Sequence, residues 1–308
     1  MAGRTARRRI ARIVVPAAAA NGTAEAPGTA VLSHRADLLA TEEPLAIRVD
    51  GQPLAVTMRT PGDDLDLAAG FLATEGLVHN AADIAAIRIC HGTPGTGPAA
   101  GTGDLAGDSD PGDDSAAVPG NVAEVTLAAG VSVDPDVLRR NFLTSSACGV
   151  CGKTSIDAIR VRAGYDVAAD PVIVPHGVLA TLPGRLREAQ RVFASTGGLH
   201  AAGLFTADGT LLVLREDVGR HNAVDKVAGW ALRAGRLPLT GCVLLVSGRA
   251  SFELVQKAYV VGVPVIAAVS APSSLAAELA EEAGLTLVGF LRGSSMNVYT
   301  GAARISTP

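Results

Sequence analysis

Cys148 and Cys151 stand three residues apart in FLTSSACGVCGKT (142–154), between hydroxyl-bearing residues and a lysine. A dithiol at this spacing, flanked by Gly149, Gly152 and Lys153, can expose a thiolate. A nearby ammonium lowers a thiol's pKa, and the thiolate is the species that exchanges sulfur. The same pair could be half of a zinc site, with Cys90, Cys242, His200 or His221 as distant partners. It could also be two inert buried side chains, the usual state of free cysteines. Gly152-Lys153-Thr154 is not the end of a phosphate loop, because that motif requires glycine at 147 and the chain has Ala147. A zinc deaminase pattern fails as well: Ala147 stands where proline belongs, and no Glu lies two residues after His200.

Three downstream segments concentrate polar groups. REDVGRHNAVDK (215–226) holds Arg215, Glu216, Asp217, Arg220, His221, Asn222, Asp225 and Lys226. SGRASFELVQK (247–257) puts Ser247, Arg249 and Ser251 between an apolar run and a helical pattern. Backbone amides and an arginine at such a junction suit phosphate. With GFLRGSSMN (289–297), these segments read as a surface for a large anionic ligand.

The elements that would position these groups follow from periodicity. Residues 43–60 read as a hairpin about Asp50-Gly51. A helix follows Pro61 and its acids, with Leu65, Ala69 and Leu72 on one face. IAAIRIC (84–90) and NVAEVTLA (121–128) are strand-like. Between them, 91–120 is almost entirely Gly, Pro, Asp, Ser, Thr and Ala, a composition that predicts a disordered or surface insertion. VLRRNFL (137–143) and SIDAIRV (155–161) read as helical around the cysteines, and 185–203 as a helix broken at Gly197-Gly198. LFTADGTLLVLREDV reads as a hairpin about Asp208-Gly209, and NAVDKVAGWALRAG as an amphipathic helix. Strand, helix, strand, helix and strand then alternate over 242–291, predicting a mostly parallel sheet with ligands at its carboxyl edge.

The 308 residues are 48% hydrophobic with only ten aromatics, so aliphatic side chains must build the core. Three parts are expected: a flexible basic lead-in over 1–40, a small α+β domain over 41–134, and an α/β domain over 135–308. Five arginines in the first twelve residues are expected to be solubilising, and the net charge of −4 gives no general case for nucleic-acid binding. No apolar run approaches the ~20 residues of a membrane span. Four cysteines do not form a secreted disulfide framework, so the reading is a cytoplasmic protein with reduced thiols.

EPLAIRVDG, MRTPGDDLDLAAGFLATEG, SSACGVCGK, TGGLHAAGL, REDVGRHNAVDK, SGRASFELVQKA and LVGFLRGSSMNVYTG together make the chain beyond about residue 40 resemble the FdhD/NarQ family of formate dehydrogenase accessory sulfurtransferases. The resemblance implies a cytidine-deaminase-like three-layer α/β domain after a smaller α+β domain, commonly as a homodimer. It implies that Cys148 carries a persulfide received from a cysteine desulfurase, with Cys151 as auxiliary thiol. The sulfur would pass to the molybdenum, or tungsten, bis(molybdopterin guanine dinucleotide) cofactor, a bound substrate destined for the formate dehydrogenase catalytic subunit. Leu287, Val288, Gly289, Phe290, Leu291 and Arg292 match the family's segment for that cofactor. Arg249, His221 and His200 are added on chemical grounds. No structural metal, nucleic acid or membrane partner is expected. The alternative is a non-catalytic chaperone that delivers the cofactor.

Overall fold

The structure is a computed structural model that describes residues 3–15, 31–90, 121–133, 164–307 and, for the backbone, 142–144. The first region is a five-stranded sheet in the order β5-β6-β3-β4-β7. Strands β3 (Glu43–Val49) and β4 (Gln52–Arg59) form the hairpin that the sequence predicts. Its turn residues Asp50 and Gly51 both have positive φ, as this tight reversal demands. Strands β5 (Ile84–Cys90) and β6 (Val122–Leu127) extend it on one side. On the other side, β7 (Phe142–Thr144) pairs in parallel with β4. Helix α1 (Asp64–Thr74) covers one face of the sheet, where Leu67, Phe71 and Leu72 meet Leu45, Ile47, Leu54 and Val125.

The second region is a six-stranded sheet in the order β10-β9-β11-β12-β13-β14. Strands β9 (His200–Thr206) and β10 (Leu211–Asp217) are the Asp208-Gly209 hairpin. Strands β11 (Cys242–Val246), β12 (Val265–Ala268) and β13 (Thr286–Arg292) are mutually parallel, and β14 (Ser295–Thr300) returns antiparallel. Alternation along the strands sorts side chains between two cores. Leu244, Val246, Ile266 and Leu287 pack with α4 (Arg220–Arg233), α5 (Phe252–Val260) and α6 (Ser274–Glu282). Val243, Leu245, Val265 and Val288 pack on the opposite face with Leu179, Leu182 and Leu186 of α2 (His176–Ala189). A short helix α3 (Arg191–Thr196) follows, and β8 (Val174–Pro175) pairs with β15 (Ile305–Ser306).

The two regions meet where α1 crosses α4, and two glycines set the distance. A Cβ on Gly70 would lie 1.7 Å from the Asp225 carbonyl oxygen, and one on Gly229 would lie 1.8 Å from that of Asp66. No other residue fits backbone against backbone so closely.

Several expectations change. Over 5–14 and 31–40 the lead-in is not a flexible arm but an antiparallel ribbon, β1 (Thr5–Val14) with β2 (Val31–Ala40). Ile10, Ile13 and Val14 in one strand and Val31 in the other are β-branched residues that favour extended pairing. Phe142 and Leu143 belong to a strand rather than a helix, and that strand joins the first sheet, so the division at 134/135 does not separate the two sheets. Helix α2 begins nine residues before the expected 185, because Leu179, Leu182 and Leu186 supply a helical stripe that Pro183 disguises. The insertion 91–120 and the segment 155–161 lie outside the described residues.

Candidate functional site

The carboxyl ends of β11, β12 and β13 lie at one edge of the second sheet. Antiparallel β9 begins at that edge with His200, and β10 ends there at Asp217, opposite His200. Helix α4 starts three residues later. This topology gathers His200, Arg220, His221, Ser247, Gly248, Arg249, Ser270, Phe290 and Arg292, which the sequence disperses over 93 positions (200 to 292).

Most of REDVGRHNAVDK does not face a ligand, contrary to the sequence reading, but joins the two regions. The Lys226 ammonium meets the Asp217 carboxylate at 2.7 Å and donates to the Thr60 carbonyl at 2.9 Å, with both side chains excluded from water. Asp217 also accepts from the amides of Thr60 and Gly219 and from the Asn222 carboxamide. Asn222 in turn donates to the Met58 carbonyl and accepts from the Thr57 hydroxyl at 3.1 Å. Arg215 clamps Asp66 at 2.7 Å. Asp225 accepts from Lys257 at 2.8 Å and from Thr74 at 2.7 Å. Burial alone would lower the Lys257 ammonium, but Asp225 and Glu75 outweigh it and hold its pKa above the ordinary lysine value.

Arg220 and His221 remain for the strand edge. The His221 Nε2 meets Glu253 Oε2 at 2.8 Å, with Ser251 Oγ at 3.5 Å. Burial pushes the Glu253 carboxyl up, yet the hydrogen bond and charge of His221, with Lys257 and Arg220, bring it below the ordinary carboxylate value. His200 is lowered by burial and then by the charges of Arg220 and His221. Its imidazole is therefore a neutral hydrogen-bonding group near neutral pH. Of the four buried side-chain atoms without a hydrogen-bond partner among the described residues, two lie at this edge, the Arg220 Nε and the Glu253 Oε1. Such orphans are costly in a finished core and fit a place where a polar ligand completes the set.

The six-residue segment 287–292 divides by function of its atoms. Leu287, Val288 and Leu291 are fully buried core residues, so only their backbone could meet a ligand. Gly289 is buried, and a Cβ there would strike Pro272 and Tyr299 at 2.8 and 2.9 Å. Phe290 has φ of 50°, a left-handed conformation unusual for an aromatic residue, and its amide donates to the Ser270 carbonyl at 3.1 Å. This kink interrupts the pairing of β13 with β14 and exposes Arg292, whose guanidinium lies 5.4 Å from the Phe290 ring centre. Arg249 is exposed at the end of β11. Cys148, Cys151 and Lys153 lie outside the described residues.

Beside His200, an open cleft of about 630 Å³ runs between the α2–α3 corner and the sheet edge. Arg187, Gln190, Phe193, Leu199 and Ser247 line it, and sequence reading gave none of the first three a role. Nothing in their local sequence marks them, because the cleft exists only once α2 and α3 are folded against β9. Glu253 was equally hidden, as an ordinary first-turn acid of α5.

Fold and site define an α/β protein with distinct N- and C-terminal regions, in which buried ion pairs hold the smaller region against a polar strand edge of the larger. The chain belongs to the FdhD/NarQ family, whose sequence profile matches residues 40–306. It is 56% identical over 271 residues to the sulfur carrier protein FdhD of Mycolicibacterium paratuberculosis, covering 88% of this chain and 93% of that protein. The protein of the same name from Streptomyces coelicolor is 55% identical over 89% of this chain and 91% of its own length. That of Mycobacterium tuberculosis is 53% identical over 88% and 93%. A crystal structure of a protein put forward as a formate dehydrogenase accessory protein of Desulfotalea psychrophila superposes with a TM-score of 0.67. At 23% identity over 97% of this chain and 99% of that one, it shares the fold.

Proposed function

We propose that this chain is a sulfur carrier and sulfurtransferase of formate dehydrogenase maturation, taking sulfur from a cysteine desulfurase as a persulfide on Cys148. The acceptor is the molybdenum or tungsten bis(guanine dinucleotide) cofactor, a substrate held at the strand edge for the formate dehydrogenase catalytic subunit. Family membership and the sulfur-carrier relatives support the role.

The observation that carries the geometry is the register of β7. It runs parallel to β4, with Thr144 opposite Thr57, whose hydroxyl bonds Asn222 beside His221. Four residues of chain from Thr144 to Cys148 span at most about 14 Å. The strand before the cysteines thus runs toward the edge that gathers His200, Arg220 and His221. In the loading step the Cys148 thiolate attacks the outer sulfur of the donor persulfide. A new S–S bond forms, the donor S–S bond breaks, and its electron pair leaves on the donor thiolate. Releasing that sulfur as sulfide needs an electron pair in turn, and Cys151 is the nearby thiol that could provide it by forming a disulfide with Cys148.

The orphaned Arg220 Nε, the exposed Arg249 and Arg292, and the kinked Gly289-Phe290 backbone suit an anionic substrate with many acceptors. Three consecutive parallel strands between antiparallel neighbours are compatible with a cytidine-deaminase-like second domain. No helix among the described residues is long and apolar enough to cross a membrane. A cytoplasmic homodimer remains part of the proposal.

The same polar edge would serve a chaperone that only delivers the cofactor, and Cys148→Ala separates the two readings. In cells lacking the native chain, this variant should leave formate dehydrogenase inactive. Full activity with Cys148→Ala would establish the chaperone instead.

A further inference from the structure

The β1–β2 ribbon contributes no side chain to the hydrophobic cores of either region. Among the described residues it is tied down at its base. Arg4 pairs with Asp63, the Thr41 amide donates to the Arg4 carbonyl at 3.0 Å, and Ala40 lies against Gly198. Beyond that base nearly every residue of both strands is exposed. A two-stranded ribbon without a covered face is marginal in water and gains from a third strand. Strand β2 lies against α3, whereas β1 pairs with β2 alone among the described residues. The outer edge of β1 therefore presents a row of unpaired N–H and C=O groups.

That edge carries charge of one sign. Arg7, Arg8, Arg9 and Arg12 are exposed and make no ion pair among the described residues. The register sets Asp37 opposite Arg8, but the Asp37 carboxylate lies 3.6 Å from Arg35. At the far end of the strand Ile13, Val14 and Val15 are 64%, 46% and 68% exposed. Charges of one sign along an edge repel a second copy of that edge and admit a strand of opposite charge, and guanidinium forks suit carboxylates. Neither strand holds an aromatic side chain on which a base could stack. Arg7 and Arg9 project from one face and Arg8 and Arg12 from the other, so no single face is built to lie on a membrane. We propose that the outer edge of β1 is a docking site for an acidic, extended segment of a partner protein, which adds as a third, antiparallel strand. In that direction aliphatic residues in the first half of the segment meet Val14, Ile13 and Ile10. Carboxylates in its second half meet Arg9, Arg8 and Arg7.

Fluorescence anisotropy of a labelled peptide, titrated with the full-length protein, tests this. The peptide matches the length of β1, with valine opposite Val14, Ile13 and Ile10, glutamate opposite Arg12, Arg9, Arg8 and Arg7, and threonine elsewhere. It should bind saturably, and hydrogen exchange of the β1 amides should slow on binding. Arg7→Gln, Arg8→Gln, Arg9→Gln and Arg12→Gln together should weaken binding about tenfold, spread over four exposed ion pairs, and lysine at the same positions should restore most of it. N-methylation of the peptide amides that face β1 should abolish binding, because it removes donors and leaves the charge unchanged. Single-stranded DNA of the same length and vesicles containing phosphatidylserine serve as rival polyanions. Tighter binding of either, or equal binding of the N-methylated peptide, would overturn the inference by reducing it to charge attraction. Absence of saturable peptide binding would overturn it as well, including where the β1 amides already exchange slowly because a second copy or another stretch of this chain fills the edge. The ribbon lies outside the proposed sulfur-carrier site, so neither result bears on Cys148.

Discussion

The Asp217–Lys226 pair illustrates how single residues in this chain are committed to joining regions rather than to chemistry. Both side chains are shut away from water, 2.7 Å apart, with the Thr60 carbonyl completing the lysine's contacts. Lys226→Met removes the positive partner and leaves Asp217 buried with amide donors only. The expected loss is about 3 kcal/mol, the lower end for breaking a buried pair, because Thr60, Gly219 and Asn222 still donate. Urea denaturation measures it. His200 supplies a pH signature. Burial, then Arg220 and His221, keep its folded pKa below the unfolded value of about 6.5. The unfolded chain therefore binds the extra proton, and the neutral imidazole's contribution is complete above about pH 6.5. It is lost as pH falls from there through the folded pKa. His200→Gln should flatten this part of the stability–pH curve; an unchanged curve would show that His200 is not held neutral.

At the scale of elements, the crossing of α1 on α4 leaves less room for a Cβ than any other described glycine position. Gly229→Ala gains up to about 1 kcal/mol of helix propensity but drives a methyl into the Asp66 carbonyl, 1.8 Å away. Backbone cannot step aside as a flexible side chain can, so a net loss of about 1–3 kcal/mol is expected, seen as a lowered melting temperature. The elements that sequence reveals best are those whose pattern carries its own punctuation. Asp50-Gly51 and Asp208-Gly209 mark both hairpins, and CVLLV, VIAA and TLVGFLR read as buried strands because they are apolar throughout. The elements that escape it owe their form to distant partners. The β1–β2 ribbon depends on pairing across sixteen intervening residues (15 to 30), β7 on the edge of β4, and β14 on β13 despite its polar, exposed sequence.

Across the whole molecule, the strand-edge site was foreseeable in outline and not in detail. Alternating strands and helices predict where a parallel sheet binds ligands, and Ser247-Gly248-Arg249 and Phe290 do lie at that edge. The split of REDVGRHNAVDK into inward struts and outward Arg220 and His221 was not legible, because Thr57, Met58, Thr60 and Asp66 lie 149 to 166 residues upstream of their partners. In the 287–292 segment proposed for the cofactor, the side chains of Leu287, Val288 and Leu291 belong to the core. The resulting picture is a small region, clamped by buried ions against the larger one, whose strand β7 (Phe142–Thr144) pairs in parallel with β4. The most direct measurement is mass spectrometry of Cys148-containing peptides after incubating the protein with a cysteine desulfurase and cysteine. The account predicts a reducible gain of one sulfur atom on Cys148, retained in Cys151→Ala and absent in Cys148→Ala. No gain on Cys148, under conditions that load another persulfide acceptor, would contradict it.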